Sequence, residues 1–239
     1  MNNSLSYSGY CNACKKEHSL PPQKAIEICD QLIKKFKIQQ CIDDGKDPRL
    51  STQHLYTEIG GKMFGVLICE DTSGNEIILK AFSSTYNGIW NVEGWVPHLV
   101  NEADFMKIVK AGDTEIHPLT ALIPTLEKKS EEWLLKTNAR KLISQKILIR
   151  LQGLYTLTNF KKENKQLSHF FAKGIPNGTG DCCAPKLLNY AAANNLKPIS
   201  IAEFYWGKAS PSGDKVEGQF YSSCTDKCQP ILGFMMCGI

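Results

Sequence analysis

Seven residues bring the donor atoms of metal or thiol chemistry together at short spacings. Cys11, Cys14 and His18 form one group, and Cys182, Cys183, Cys224 and Cys228 the other. Thiolates are both nucleophiles and metal ligands. In Cys11-Asn12-Ala13-Cys14 two intervening residues let both sulfurs turn towards one ion, and His18 adds an imidazole four residues on. That is half of a tetrahedral zinc signature plus one ligand. A fourth ligand has to come from elsewhere, Cys29 and Cys41 being the candidates. The plain alternative is a loop thiol pair without metal. In the second group, one of Cys182 and Cys183 joins Cys224 and Cys228 to make three ligands. Three protein ligands leave a fourth position for water, the arrangement of catalytic rather than closed structural zinc.

The other cysteines read more simply. Cys69 ends the apolar run Val66-Leu67-Ile68, and Cys29 falls between Ile28 and Leu32; both read as small core residues. Cys41 and Cys237 carry little signal. The polar stretch from Met1 to Tyr10 has no apolar signal core, so a cytoplasmic location is expected. A reducing compartment disfavours structural disulfides and leaves metal ligation or reactive thiols. Charged residues are 22% of the chain and apolar ones 42%, the balance of a folded globular protein rather than a disordered one. Net charge is +4, so any nucleic-acid contact rests on a local patch. No apolar run approaches ~18 residues, so no membrane-spanning segment is expected.

The positioning elements follow from periodicity. Ala25, Ile26, Cys29, Leu32, Ile33 and Phe36 recur at helical spacing over 23–37. Two β-rich runs within 63–82 flank Asp71-Thr72-Ser73-Gly74-Asn75 and predict a hairpin. A glycine-bearing loop then holds Tyr86, Asn87, Trp90 and Trp95. These read either as a base-stacking surface or as a satellite core under a long loop. Residues 119–158 carry a long helical pattern with Trp133, Leu134, Leu135, Leu142, Ile147 and Leu151. Its lysines and arginines, Lys136, Arg140, Lys141, Lys146 and Arg150 among them, form either a phosphate-facing ridge or a solvated face. Helices are expected over 182–193, with Asp181 as N-cap, and over 224–236, with a strand over 198–206 between them. Both cysteine pairs then start helices, where the dipole favours thiolate over thiol.

A breaker loop, a cysteine at a helix start, a strand, and a cysteine pair at the next helix start resemble the zinc nucleobase-deaminase fold. The order of elements is also similar. In that family a His/Cys-x-Glu motif and a Pro-Cys-x-x-Cys motif hold the zinc. Here Cys182 or Cys183 stands at the first ligand, and Cys224 with Cys228 at the second pair, with three residues between them rather than two. Ala184 or Pro185 occupies the family's glutamate position, so the resemblance leaves Glu203 or Asp181 as substitute proton carriers. It implies an α/β (α+β) fold: a small mixed sheet of a β-hairpin plus a third strand, cytidine-deaminase-like, with flanking helices. The organisation expected is a zinc-knuckle segment over 1–20 and one deaminase-like domain over 21–239, with a helical insertion at about 119–165.

A second resemblance covers nearly the whole chain. Cys11 to Pro21, Gly61-Lys62-Met63-Phe64-Gly65, Ala81-Phe82-Ser83, Gly94-Trp95-Val96-Pro97, the run Gly178 to Leu188, and Ala202 to Gly207 look like an N-terminal extension. Certain bacterial pseudouridine synthases, of the large-subunit-rRNA and tRNA type, carry it ahead of their catalytic domain. The synthase's Arg-Leu-Asp motif has no counterpart: Arg49-Leu50 continues to Ser51 and Arg150-Leu151 to Gln152. The resemblance implies an RNA-modification context, with tRNA or rRNA as partner, and no pseudouridine formation by this chain itself. Three readings stand side by side: a zinc-stabilised RNA-binding module, a zinc-dependent deaminase-like hydrolase, and a cysteine nucleophile at Cys182 or Cys183.

Overall fold

Lys62–Glu70 is the strand around which everything else is laid. Its six central residues are all buried, which requires cover on both faces. We number the elements from a computed structural model that describes residues 5–45 and 47–239; the first four residues of the polar N-terminal stretch, and of the 1–20 segment, lie outside them. The strands are β1 (Tyr7–Cys11), β2 (Lys16–Leu20), β3 (Lys62–Glu70), β4 (Glu76–Phe82), β5 (Thr156–Thr158), β6 (Asn164–Gln166) and β7 (Lys197–Trp206). The α-helices are α1 (Gln23–Gln39), α2 (Glu102–Leu122), α3 (Glu131–Gln152), α4 (Cys183–Ala193) and α5 (Gln229–Met235).

The fold is α+β. The main sheet has the order β4-β3-β7, and β1-β2 and β5-β6 form separate two-stranded sheets. The hairpin and third strand expected from sequence are there, but β7 joins β3 antiparallel, so the sheet is antiparallel throughout rather than mixed.

Side chains alternate across β3 and divide the core in two. Phe64, Val66 and Ile68 face α1, with Phe82, Ala202, Phe204 and Trp206 beside them. Leu67 and Cys69 face α4 and α5 on the other side. The α1 layer is aromatic: the Phe36 ring lies 4.9 Å from Phe64, 6.0 Å from Phe204 and 5.8 Å from Trp206. On the α4 side Gly65 lets the helix start reach the strand, since a Cβ there would stand 2.6 Å from Cys183 Cβ.

β1 and α5 meet. Gly9 on β1 and Gly233 on α5 cross with backbone on backbone, so that a Cβ on either would overlap the other's main chain. This crossing seats the N-terminal hairpin on the C-terminal helix.

Three expected elements differ. The helical pattern begins at Glu102, not near 119, and runs through Pro118. It then breaks at Ile123–Thr125, a 3₁₀ turn containing Pro124, and resumes as α3. The helix expected from 224 begins only at Gln229, with Pro230 in its first turn, and Cys224 lies in the turn before it. Finally, Cys182 rather than Asp181 occupies the N-cap position of α4.

Candidate metal centres

The first centre is built at the knuckle. Cys11 closes β1, residues 12–15 turn with Lys15 at φ 58°, and β2 carries His18 back alongside Gly9. The turn is closed by Lys15 N–H donating to Cys11 O at 2.8 Å. Cys14 Sγ lies 3.0 Å from His18 Nε2. Cys237, delivered by α5 through the Gly9–Gly233 crossing, completes the group: one donor atom from each of Cys11, Cys14, His18 and Cys237 lies within 4.8 Å of the others. The candidate fourth ligands are elsewhere. Cys29 is fully buried under α1, its thiol directed at Ala202 O, and Cys41 bonds Asp43 O at 3.2 Å.

The electrostatics suit ligation. Burial pushes the Cys11 thiol up, but the backbone N–H groups of Cys14 and Ala13 outweigh it and hold the group below its ordinary value. Burial, with Lys16 and Lys161 nearby, lowers His18 and keeps the ring neutral, the form that binds a metal.

The second centre gathers Cys182, Cys224 and Cys228, again within 4.8 Å of one another. Cys182 comes from the start of α4 and the other two from the turn before α5, where Cys228 N–H donates to Cys224 O at 3.2 Å. Cys224 and Cys228 sulfurs are 3.2 Å apart. Cys224 is exposed and Cys228 buried, so the centre opens to solvent through Cys224. Hydrogen bonds from the Cys182 and Cys228 thiols, then from the backbone of Cys228 and Lys227, hold Cys224 far below the usual thiol range. Cys183 does not take part. Its side chain is wholly buried against the sheet, and its thiol donates to Met63 O at 3.3 Å.

Glu203 on β7 stands behind the start of α4. Its Oε1 accepts a hydrogen bond from Ala184 N–H at 2.6 Å, in the first turn of α4, two residues from Cys182. Burial raises the carboxyl to about 7, the Ala184 N–H pulls it down, and the Cys224 charge raises it again. Asp181 is committed elsewhere: its carboxylate accepts from Tyr155 Oη at 2.7 Å, with Lys186, Lys227 and Lys62 around it. It therefore positions the loop before α4 rather than facing the thiols.

Two of the loop aromatics, Tyr86 and Trp95, are core residues rather than a stacking surface. Tyr86 is fully buried between Phe64 and Phe82, its hydroxyl donating to Ser51 O at 3.2 Å. Trp95 is buried, and its indole N–H donates to Ile42 O at 3.3 Å. Both belong to the α1 layer, on the opposite side of the sheet from the thiols. Asn87 is exposed and donates to Arg49 O. Trp90 packs on His98 and Phe105 and walls a cleft of about 640 Å³ at the start of α2.

A cleft that sequence reasoning missed lies beside the first centre. It encloses about 580 Å³ between the knuckle, α5 and the Leu167–Phe170 turn. Its walls include Tyr10, Cys11, Glu17, Lys165, His169 and Phe170. Tyr10 is 54% exposed. The signal available was Tyr10 immediately before the CxxC. Of five clefts of about 240 to 640 Å³, none has Cys182, Cys224 or Cys228 in its wall. Among the described residues no helix is long and apolar enough to cross a membrane.

Compared with protein-family models, with curated proteins and with solved structures, the chain matches none.

Proposed function

We propose that this chain is a zinc-holding RNA-recognition module, associated with RNA modification and built on a deaminase-like scaffold, that makes no pseudouridine itself. The observation that carries this is the first centre and what stands beside it. Three thiols and a neutral imidazole form a complete four-ligand set, and an aromatic and cationic cleft opens next to it. Zinc with S₃N ligation closes its coordination sphere and acts structurally. At Zn–S distances of ~2.3 Å a tetrahedral set has ligand atoms roughly 3.8 Å apart, inside the spread of both clusters. Tyr10 and Phe170 offer ring faces for an unstacked base, while Lys165 offers a cation and His169 a ring N–H for its phosphates. Lys16 and Lys161 beside His18 extend the positive patch.

The test is a titration of labelled tRNA and rRNA fragments into the metal-loaded chain at several salt concentrations. Affinity should fall steeply with salt, by about 0.7–0.9 in log K per log salt for each phosphate contacted. Absent or salt-independent binding contradicts the reading.

One observation favours a second reading, a zinc-dependent deaminase-like hydrolase: the Glu203 carboxylate accepts from Ala184 N–H, two residues from Cys182. Zinc held there would supply a Lewis acid, and Glu203 would hold and move the proton. The burial of Tyr86 and Trp95 and the lack of a cleft walled by these cysteines, among the five above, place this reading second.

A further inference from the structure

α3 is apolar on two opposite sides, and α2 covers one of them. At about 100° per residue, Trp133, Ile143, Ile147 and Leu151 share the covered side, where Gly112 of α2 leaves room for Ile147. Leu135, Leu142 and Ile149 recur every seventh residue on the other side and are 66%, 57% and 67% exposed. None of the twenty-two residues of α3 is buried. A seven-residue apolar repeat supplies one of the two seam positions of a coiled-coil heptad; the other, three residues on, is polar here, Asn138 and Gln145.

The flanking residues say which helix fits. Glu131 and Glu132 lie in the first turn of α3, and Lys146 and Arg150 towards its end. A second α3 running antiparallel brings acid alongside base at both ends, and sets Leu134 opposite Leu148, which are equidistant from Lys141. Lys141 lies nearest its own copy in this register, and Lys136 stands level with Lys146. A parallel partner instead stacks acid on acid and brings Lys141 against Lys146. The sequence of α3 is thus complementary to itself in one orientation, the requirement of a two-fold interface.

We propose that the chain forms a homodimer through antiparallel α3–α3 pairing, with Leu135, Leu142 and Ile149 in the seam. The occupant of the exposed stripe is a second copy of this chain.

Sedimentation velocity of the full metal-loaded chain over a range of concentrations tests this. The wild type should dimerise, and Leu142→Lys should weaken dimerisation by about tenfold or more, with metal content and far-UV circular dichroism unchanged. Glu132→Lys should weaken the dimer, and adding Arg150→Glu should restore it. A wild type that stays monomeric at every concentration overturns the proposal, as does a dimer indifferent to Leu142→Lys. So does a monomer whose stripe binds anionic vesicles in a Leu142-dependent way, which would assign the stripe to a membrane surface.

Discussion

Gly9 and Gly233 cross with no room for a Cβ on either, and this contact carries Cys237 to Cys11 across almost the entire length of the chain. Gly233→Ala forces β1 and α5 apart. Overpacking of this kind costs about 1–3 kcal/mol. The expected result in calorimetry is a lower Tm together with weakened metal retention at the first centre only. A variant that melts lower yet keeps both metals equally tightly would separate the crossing from the site.

The His98 ring gives a pH dependence whose sign is fixed by burial. Burial first, then Lys186 and Lys62, lower it to about 4 against an ordinary 6.5, although a hydrogen bond to the Ser84 backbone pulls it up. Its Nε2 has no hydrogen-bond partner. The unfolded chain therefore takes up a proton before the folded one does. Stability is full above pH 6.5 and falls as pH drops towards 4, by up to about 2–3 kcal/mol from this group. Urea midpoints measured from pH 7 to 4.5 should show His98→Gln losing less than the wild type over that window.

The aromatic layer under α1 sets the stability of the sheet. Phe36 is buried among Phe64, Phe204 and Trp206. Phe36→Ala should cost about 3–5 kcal/mol, read as a lower urea midpoint. RNA affinity of the protein that remains folded should be unchanged, since α1 lies on the sheet face away from the knuckle.

RNA recognition at the knuckle cleft separates by residue type. Tyr10→Ala should cost about 1–3 kcal/mol in single-stranded RNA affinity if its ring carries a base. Lys165→Gln should weaken binding evenly across sequences and reduce the salt slope by about one phosphate. Fluorescence anisotropy at three salt concentrations distinguishes the two behaviours.

What could be read from sequence was local. The α1 stripe and α4 follow from a helical period, and the β3–β4 hairpin and β7 from short β-rich apolar runs bounded by turn residues. The short-range ligand spacings of Cys11, Cys14 and His18 were legible for the same reason. Cys237 was not, because its role depends on two glycines more than two hundred residues apart packing together. The start of α2 was signalled by Asn101, whose side chain caps Ala103 and Asp104 N–H, followed by Glu102. Pro230 likewise marked the true start of α5, since proline suits a first helical turn. The loop aromatics gave no local sign of which face of the sheet they would cover.

The central proposal, that each of the two donor sets holds a zinc ion, is tested most directly by elemental analysis of the purified chain and two variants. The wild type should carry one zinc for each of the two clusters. Cys224→Ser with Cys228→Ser should lose one and keep the other, and Cys237→Ser should loosen the one that remains in that variant. A wild type with less than half an equivalent of zinc, or a zinc content indifferent to these substitutions, would contradict it.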